Sequence, residues 1–290
     1  MEKLAAYFEG IPSSHRSAIL VGGIAIFWLI ENAFPLFRFS YNKYRHAGIN
    51  IFFTLTTIIV NFLLAFLLVK TSDLVVEKHI GLLQWLPWLP LWARFVTGLL
   101  LLDLIGAWLI HWIQHKVKWM WKFHLVHHTD TCVDTTTANR HHPGESLLRF
   151  VFTILAVVIS GAPMWIVFAY QSLSVALSQF NHANIRLPEA VDRILSLAIV
   201  TPNMHHVHHH YRQPYTDTNY GNIFSVWDRL FGTFAKADQD TLVYGVDTHM
   251  KREENSRLWN LLHIPFQKYR TPSSPAGGNQ TVRQSDNEGM

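Results

Sequence analysis

HWIQHKVKWMWKFHLVHH, residues 111–128, is the stretch on which the fold of this chain turns. His111 and His115 are four apart, and His124, His127 and His128 are three and four apart, so on helices each set projects toward one side. The run follows directly on the apolar segment 95–110, which places its first helix at the end of a hydrophobic one. His205, His208 and His209 repeat the HxxHH spacing far downstream. Thirteen of the eighteen histidines fall from His111 to His210, in the blocks HWIQH, HLVHH, HHPGE, NHAN and HHVHHH. One HxxxH pair is ordinarily a surface or hydrogen-bonded core pair. Two HxxHH blocks beside an HxxxH are a metal-binding pattern, because neutral imidazole gives one nitrogen to a metal while an acceptor orients the other.

The composition supplies the setting. Of 290 residues, 49% are hydrophobic and 15% charged, which is too apolar for a soluble domain of this size and implies an integral membrane protein. Residues 51–69 carry no charge and match the roughly 20 helical residues that cross a bilayer. Residues 18–34, with Glu31, and 95–110, with Asp103, are further candidate spans. The apolar stretch 150–180 exceeds one span and is interrupted by Gly161 and Pro163, so it predicts a hairpin of two short helices. Residues 1–16 are mixed and polar, without the pattern of a cleavable signal, so the first span is expected to persist. Cys132, the only cysteine, excludes a disulfide framework and a thiolate metal cage, and is taken as passive.

Charge by position orients the chain. The connection 35–49 holds Arg38, Lys43 and Arg45 without an acid, which predicts a cytoplasmic location. Counting spans forward puts the histidines on that same side, among Lys116, Lys118 and Lys122. Without interleaved basic and aromatic residues, these lysines imply a solvated or headgroup-facing surface rather than nucleic-acid binding. Trp85, Trp88, Trp92, Trp119 and Trp121 are expected at membrane boundaries, and QWLPWLPLW, residues 84–92, at the interface, its two prolines preventing a regular helix. The Ser/Pro/Gly/Asn/Gln-rich residues 271–290 are expected to be disordered.

So many imidazoles exceed what one metal takes, since three or four protein ligands satisfy a zinc. Ten candidates imply two ions. No ExxH pair of the carboxylate di-iron bundles occurs, and no HExxH of the zinc proteases. An all-imidazole pair beside a bilayer suits iron that activates dioxygen against a lipid C–H bond.

From about Leu101 to Phe234, the ordered strings HWIQH, WKFHLVHH, RHHPGE, NHAN, TPNMHHVHHH and NYGNIFSVWDRLFGTF resemble the fatty acid hydroxylase and sterol desaturase superfamily of membrane di-iron enzymes. The resemblance implies metal ligation by His111, His115, His124, His127, His128, His142, His182, His205, His208 and His209. It leaves His141, His206 and His210 beside the motif positions. Glu145 and Asn184 are expected to hydrogen-bond ligands. Asp103 has two readings, orienting a ligand histidine or making a packing contact. The block 219–234 is expected to form a turn capping the site, with Asp228 and Arg229 as a structural ion pair. Trp112 replaces the arginine common after the first histidine, and Lys116 stands where an ether-lipid branch has glutamate.

The resulting picture is an all-α membrane bundle of about four spanning helices below a cytoplasmic helical cap that holds the metals. The segments are 1–94 (membrane spans and interfacial segment), 95–240 (catalytic), 241–270 (C-terminal cap) and 271–290 (tail). The resemblance implies two iron ions, dioxygen, a membrane lipid substrate and an external ferredoxin or cytochrome-type electron donor, and leaves hydroxylation and desaturation open. Two other classes compete: a histidine-rich metal transporter, disfavoured because the spans before His111 carry no midplane histidine, and a zinc-dependent lipid hydrolase.

Overall fold

The computed structural model describes residues 1–271, which are helical with only isolated bridges and no strand among them. Residues 272–290, nearly all of the tail expected to be disordered, lie outside the described residues. Four helical stretches are long and apolar enough to cross a membrane: Ser13–Ala33, Lys43–Trp85, Leu91–Lys116 and Pro143–Ser160. The chain is an all-helical integral membrane protein.

Helix α1 (Glu2–Glu9) precedes α2 (Ser13–Ala33), the first span. Helix α3 (Lys43–Glu77) is far longer than the apolar run 51–69 predicts. Its first turns are polar; the Asn42 side chain caps them by accepting from the Arg45 amide, and they project beyond the hydrocarbon into contact with the histidine-bearing part. There His46 Nε2 lies 2.8 Å from Asp130 and its Nδ1 3.3 Å from Asp134. Arg140, fully buried, donates to Val126 O, Asn50 Oδ1, Thr129 Oγ1 and Asn255 O, so this network ties α3 to the loop after His128.

The proline-rich stretch 84–92 forms the end of a single helical turn, α4 (Leu82–Trp85), and then a turn up to Pro90. Trp85, Trp88 and Trp92 are exposed there, as interfacial rings are expected to be. Helix α5 (Leu91–Asp103) passes through a π-helical segment, Leu104–Leu109, into α6 (Ile110–Lys116). Such widened turns cluster at functional sites, and this one ends two residues before His111. Val117, with extended φ −97° and ψ 107°, breaks the path, and α7 (Lys118–His128) sets off in a new direction.

The expected hairpin is present. Helix α8 (Pro143–Ser160) ends at Gly161, whose left-handed φ of 66° reverses the chain, and α9 (Met164–His182) returns. A side chain at Gly81, itself at φ 94°, would meet the Gly161 backbone at 2.3 Å, so two glycines permit this close crossing. Only α8 qualifies as a span; α9 brings His182 back to the histidine level. Helix α10 (Glu189–Leu195) leads to α11 (Pro202–His208), started by Pro202 in its first turn and by the Thr201 side chain accepting from the Met204 amide. Helices α12 (Val226–Leu230), α13 (Arg252–Asn255) and α14 (Leu258–His263) complete the described part.

The membrane core is built from α3, α5, α8 and α9, with Leu68, Leu99, Leu102, Phe150, Val157 and Ile166 buried together. Phe62, Leu63 and Phe66 of α3 point outward, 71–79% exposed, an apolar face that only a bilayer satisfies. A second cluster, with Phe53, Val126, Leu261 and Ile264, lies beneath α7.

Candidate metal centre

Nine histidines converge in two adjoining groups. His111 and His115 of α6, His124 and His128 of α7 and His208 of α11 form the first; His127 of α7, His182 of α9, and His205 and His209 at the end of α11 form the second. Within each group the donor atoms all lie within 4.8 Å of one another. The HxxHH spacing is what divides them. In α7 the outer pair, one full turn apart, faces the first group and the middle histidine the second; in α11 the outer pair faces the second and the middle one the first.

Contacts between rings fit ligands that share an ion. Nε2 of His124 and His128 are 3.2 Å apart, His127 and His182 3.2 Å, and His182 and His205 3.1 Å. Two nitrogens each at about 2.1 Å from one metal are separated by roughly 3.0–3.4 Å in octahedral or tetrahedral geometry. Four of the nine histidines (His111, His115, His208 and His209) also have a buried Nε2 with no hydrogen-bond partner. Each orphaned polar atom costs about 1–3 kcal/mol, against a total stability of about 5–15 kcal/mol for a domain. That many are tolerable only if something else satisfies them, and a metal does. Burial first, and then neighbouring imidazoles, hold His124, His127, His128, His205 and His209 far below the ordinary imidazole value, and burial with His115 does the same to His208. All six are therefore neutral near pH 7, the form that ligates metal.

Rings are oriented from behind by acceptors. His111 Nδ1 faces Tyr220 O at 2.8 Å, His208 Nδ1 faces Thr218 O at 2.7 Å, and His182 Nδ1 faces Ser178 O at 2.8 Å. His124 Nδ1 faces the fully buried Glu145 carboxylate at 2.7 Å, as expected of Glu145. His115 Nδ1 faces Asp217 Oδ1 at 3.2 Å, while Lys116 bonds the other oxygen at 2.7 Å. Partial burial raises the Asp217 carboxyl, but the bonds from His115 and Lys116 outweigh it and hold it at about 2.

His142, which the resemblance counts among the ligands, stands apart from the nine converging histidines. It stands at the N-cap of α8, its Nδ1 accepting from the Gly144 amide and its Nε2 facing Leu262 O, outside both groups. His141 instead turns inward, its ring centroid 5.0 Å from that of His127. His206 is buried against Tyr244, and His210 accepts from the Val243 amide. Asn184 bonds the Phe37 backbone in both directions and no histidine. Asp228 forms no ion pair with Arg229: it accepts from the Tyr220 and Gly221 amides and from Trp108 Nε1, while Arg229 donates to Ser196 O. Asp103 contacts no ligand histidine, and accepts from the Ile223 and Phe224 amides and Trp227 Nε1. The two aspartates together fix the loop whose carbonyls at Thr218 and Tyr220 orient His208 and His111. Trp121, expected at a membrane boundary, covers His115 and His128 at centroid distances of 4.7 and 5.3 Å.

All nine converging histidines fall in residues 95–233, the span matched by the family model for fatty acid hydroxylase. Residues 95–233 form a fatty acid hydroxylase domain. Over 244 residues the chain is 24% identical to the ornithine lipid hydroxylase of Rhizobium tropici, a match covering 79% of this chain and 70% of that protein. It is 34% identical over 166 residues to the alkylglycerol monooxygenase of Danio rerio, covering 57% of this chain and 35% of that protein. It is 26% identical over 173 residues to a cholesterol 25-hydroxylase-like protein of Danio rerio, covering 56% of this chain and 61% of the relative. The chain thus spans about a third of the length of the alkylglycerol monooxygenase. No solved structure matches it. The hydroxylase domain takes in α5 through α12, so it includes two of the four candidate spans.

Proposed function

We propose that this chain is a membrane-bound di-iron hydroxylase that uses dioxygen to place a hydroxyl group on a lipid. The observation that carries the reading is the convergence of nine buried histidines, with unpartnered ring nitrogens, into two adjoining groups beside the end of a spanning helix. His111, His115, His124, His128 and His208 would hold one ion; His127, His182, His205 and His209 would hold the other. When bound, such a pair supplies the oxidising power for dioxygen chemistry at a C–H bond. The chain's own tasks are to keep the imidazoles neutral, to fix their directions through Tyr220 O, Thr218 O, Glu145 and Asp217, and to exclude water by burial. The relatives named above are hydroxylases or a monooxygenase, which favours hydroxylation over desaturation. Two closed clusters, rather than a file of ligands along a span, favour an enzyme over a transporter.

Electrons have to come from a separate donor of ferredoxin or cytochrome type, and the positive charge of the connection 35–49 supports a cytoplasmic location for the site. Lys118 and Lys122 lie on α7 beside the first group and offer an acidic carrier a docking surface. The deciding experiment compares lipid mass spectra from cells expressing the chain or its His127→Ala variant, with and without oxygen. A species heavier by one oxygen atom, present only with oxygen and the intact chain, is expected. A species lighter by two hydrogens would make it a desaturase, and oxygen-independent cleavage with one bound zinc would make it a hydrolase.

A further inference from the structure

This inference rests on the hydroxylase reading and concerns which lipids the site accepts. Helix α8 runs from the histidine level into the membrane, and Leu147, Val151, Leu155 and Ile159 form an exposed stripe along it. Arg149 is the only basic side chain in that helix and lies two residues from both Leu147 and Val151, on the opposite face. A cation in a spanning helix is expensive to keep and marks function by default.

Its bonding is incomplete in a specific way. Arg149 Nε donates to Glu145 Oε1 at 2.9 Å, the same oxygen that faces His124 Nδ1. Its two terminal nitrogens have no hydrogen-bond partner among the described residues, and the side chain is 25% exposed. Arg140, by contrast, uses Nε and both terminal nitrogens on protein acceptors and is closed to any ligand. Arg149 stands four residues, about 6 Å along the helix, further into the membrane than Glu145. Its bond to the buried Glu145 and its place opposite the exposed stripe turn it toward the interior, between metal groups and hydrocarbon. With Nε held by Glu145, the free edge of the fork matches the two oxygens of a carboxylate or phosphate.

We propose that Arg149 anchors an oxyanion of the lipid substrate, a carboxylate or a phosphate, at the membrane side of the metal site. The full chain, purified in neutral detergent, would be tested by equilibrium binding of palmitate against hexadecanol, and of dioleoyl phosphatidate against dioleoylglycerol. The wild type is expected to hold at least one anion about tenfold tighter than its neutral analogue; preference for palmitate assigns a free acid, and preference for phosphatidate a headgroup. Arg149→Gln is expected to abolish the preference with metal content unchanged, and Arg149→Lys, which keeps charge without the fork, to retain part of it. No anion preference in the wild type overturns the proposal whether or not the variants fold. So does a preference that survives Arg149→Gln, and loss of metal with the preference intact would reduce Arg149 to a partner of Glu145. Binding is read without turnover, so a failure of the hydroxylase reading is seen separately, as the absence of an oxygenated lipid.

Discussion

The two histidine groups share α7 and α11, with α6 completing the first and α9 the second, and they are supported differently. In the first, four of five rings have a fixed acceptor behind them: Tyr220 O for His111, Asp217 for His115, Glu145 for His124 and Thr218 O for His208. In the second only His182 does, through Ser178 O, while the Nδ1 atoms of His127, His205 and His209 are buried without partners. Outer hydrogen bonds fix tautomer and ring direction and raise ligand basicity. The first group is therefore held in a binding geometry by the protein alone, and the second would depend more on a bound ion. The difference teaches that a symmetric motif, HxxHH twice over, still yields unequal sites, because three of the four acceptors come from a loop that reaches only one of them.

The largest expected effect is on the metal-free chain and is common to both groups. His124, His127, His128, His205, His208 and His209 are neutral when folded and titrate near the ordinary imidazole value of about 6.5 when unfolded. Below that value the unfolded chain binds protons that the folded one cannot, so stability is complete above about pH 6.5 and is lost as pH falls. The slope reaches about 1.4 kcal/mol per pH unit for each such histidine. Thermal unfolding of the metal-free protein should therefore drop steeply between pH 6.5 and 5, and the metal-loaded protein should resist over the same interval. A flat profile without metal would mean that these rings are not held neutral.

Next comes the asymmetry itself. Glu145→Gln and Asp217→Asn should each weaken one metal by roughly 10–100-fold and leave the other unchanged, as read by chelator titration. Equal loss from both groups would break the comparison. The smallest effect separates neighbours at the start of α8. His142→Ala should leave metal content intact and cost about 1 kcal/mol in chemical denaturation, as loss of a helix cap. His141→Ala, beside His127, should lower occupancy of the second group. The reverse pattern would restore His142 to the ligands.

Much of this was legible in the residues. Helical spacing and apolar context foretold that α6, α7 and α11 bring histidines together, and Gly161 with Pro163 foretold the hairpin. The division of each HxxHH between two groups was not legible, because it depends on how α7 packs toward α11. Backbone acceptors at Tyr220, Thr218 and Ser178 leave no side-chain signal at all. His142 lies outside both groups, and a cue to its capping role existed: it precedes Pro143 at a helix start, where capping competes with ligation. Arg149 was overlooked for the opposite reason, as one ordinary residue in an apolar run, when its isolation there was the signal.

The central claim is that the chain holds two ions on imidazoles alone. It is tested most directly by loading the purified protein with ferrous iron without oxygen and measuring metal per chain together with the X-ray absorption fine structure. The account predicts two irons per chain with nitrogen or oxygen neighbours at about 2.1 Å, falling to one when His209 is replaced by alanine. A single bound metal, or two that persist in that variant, would contradict it.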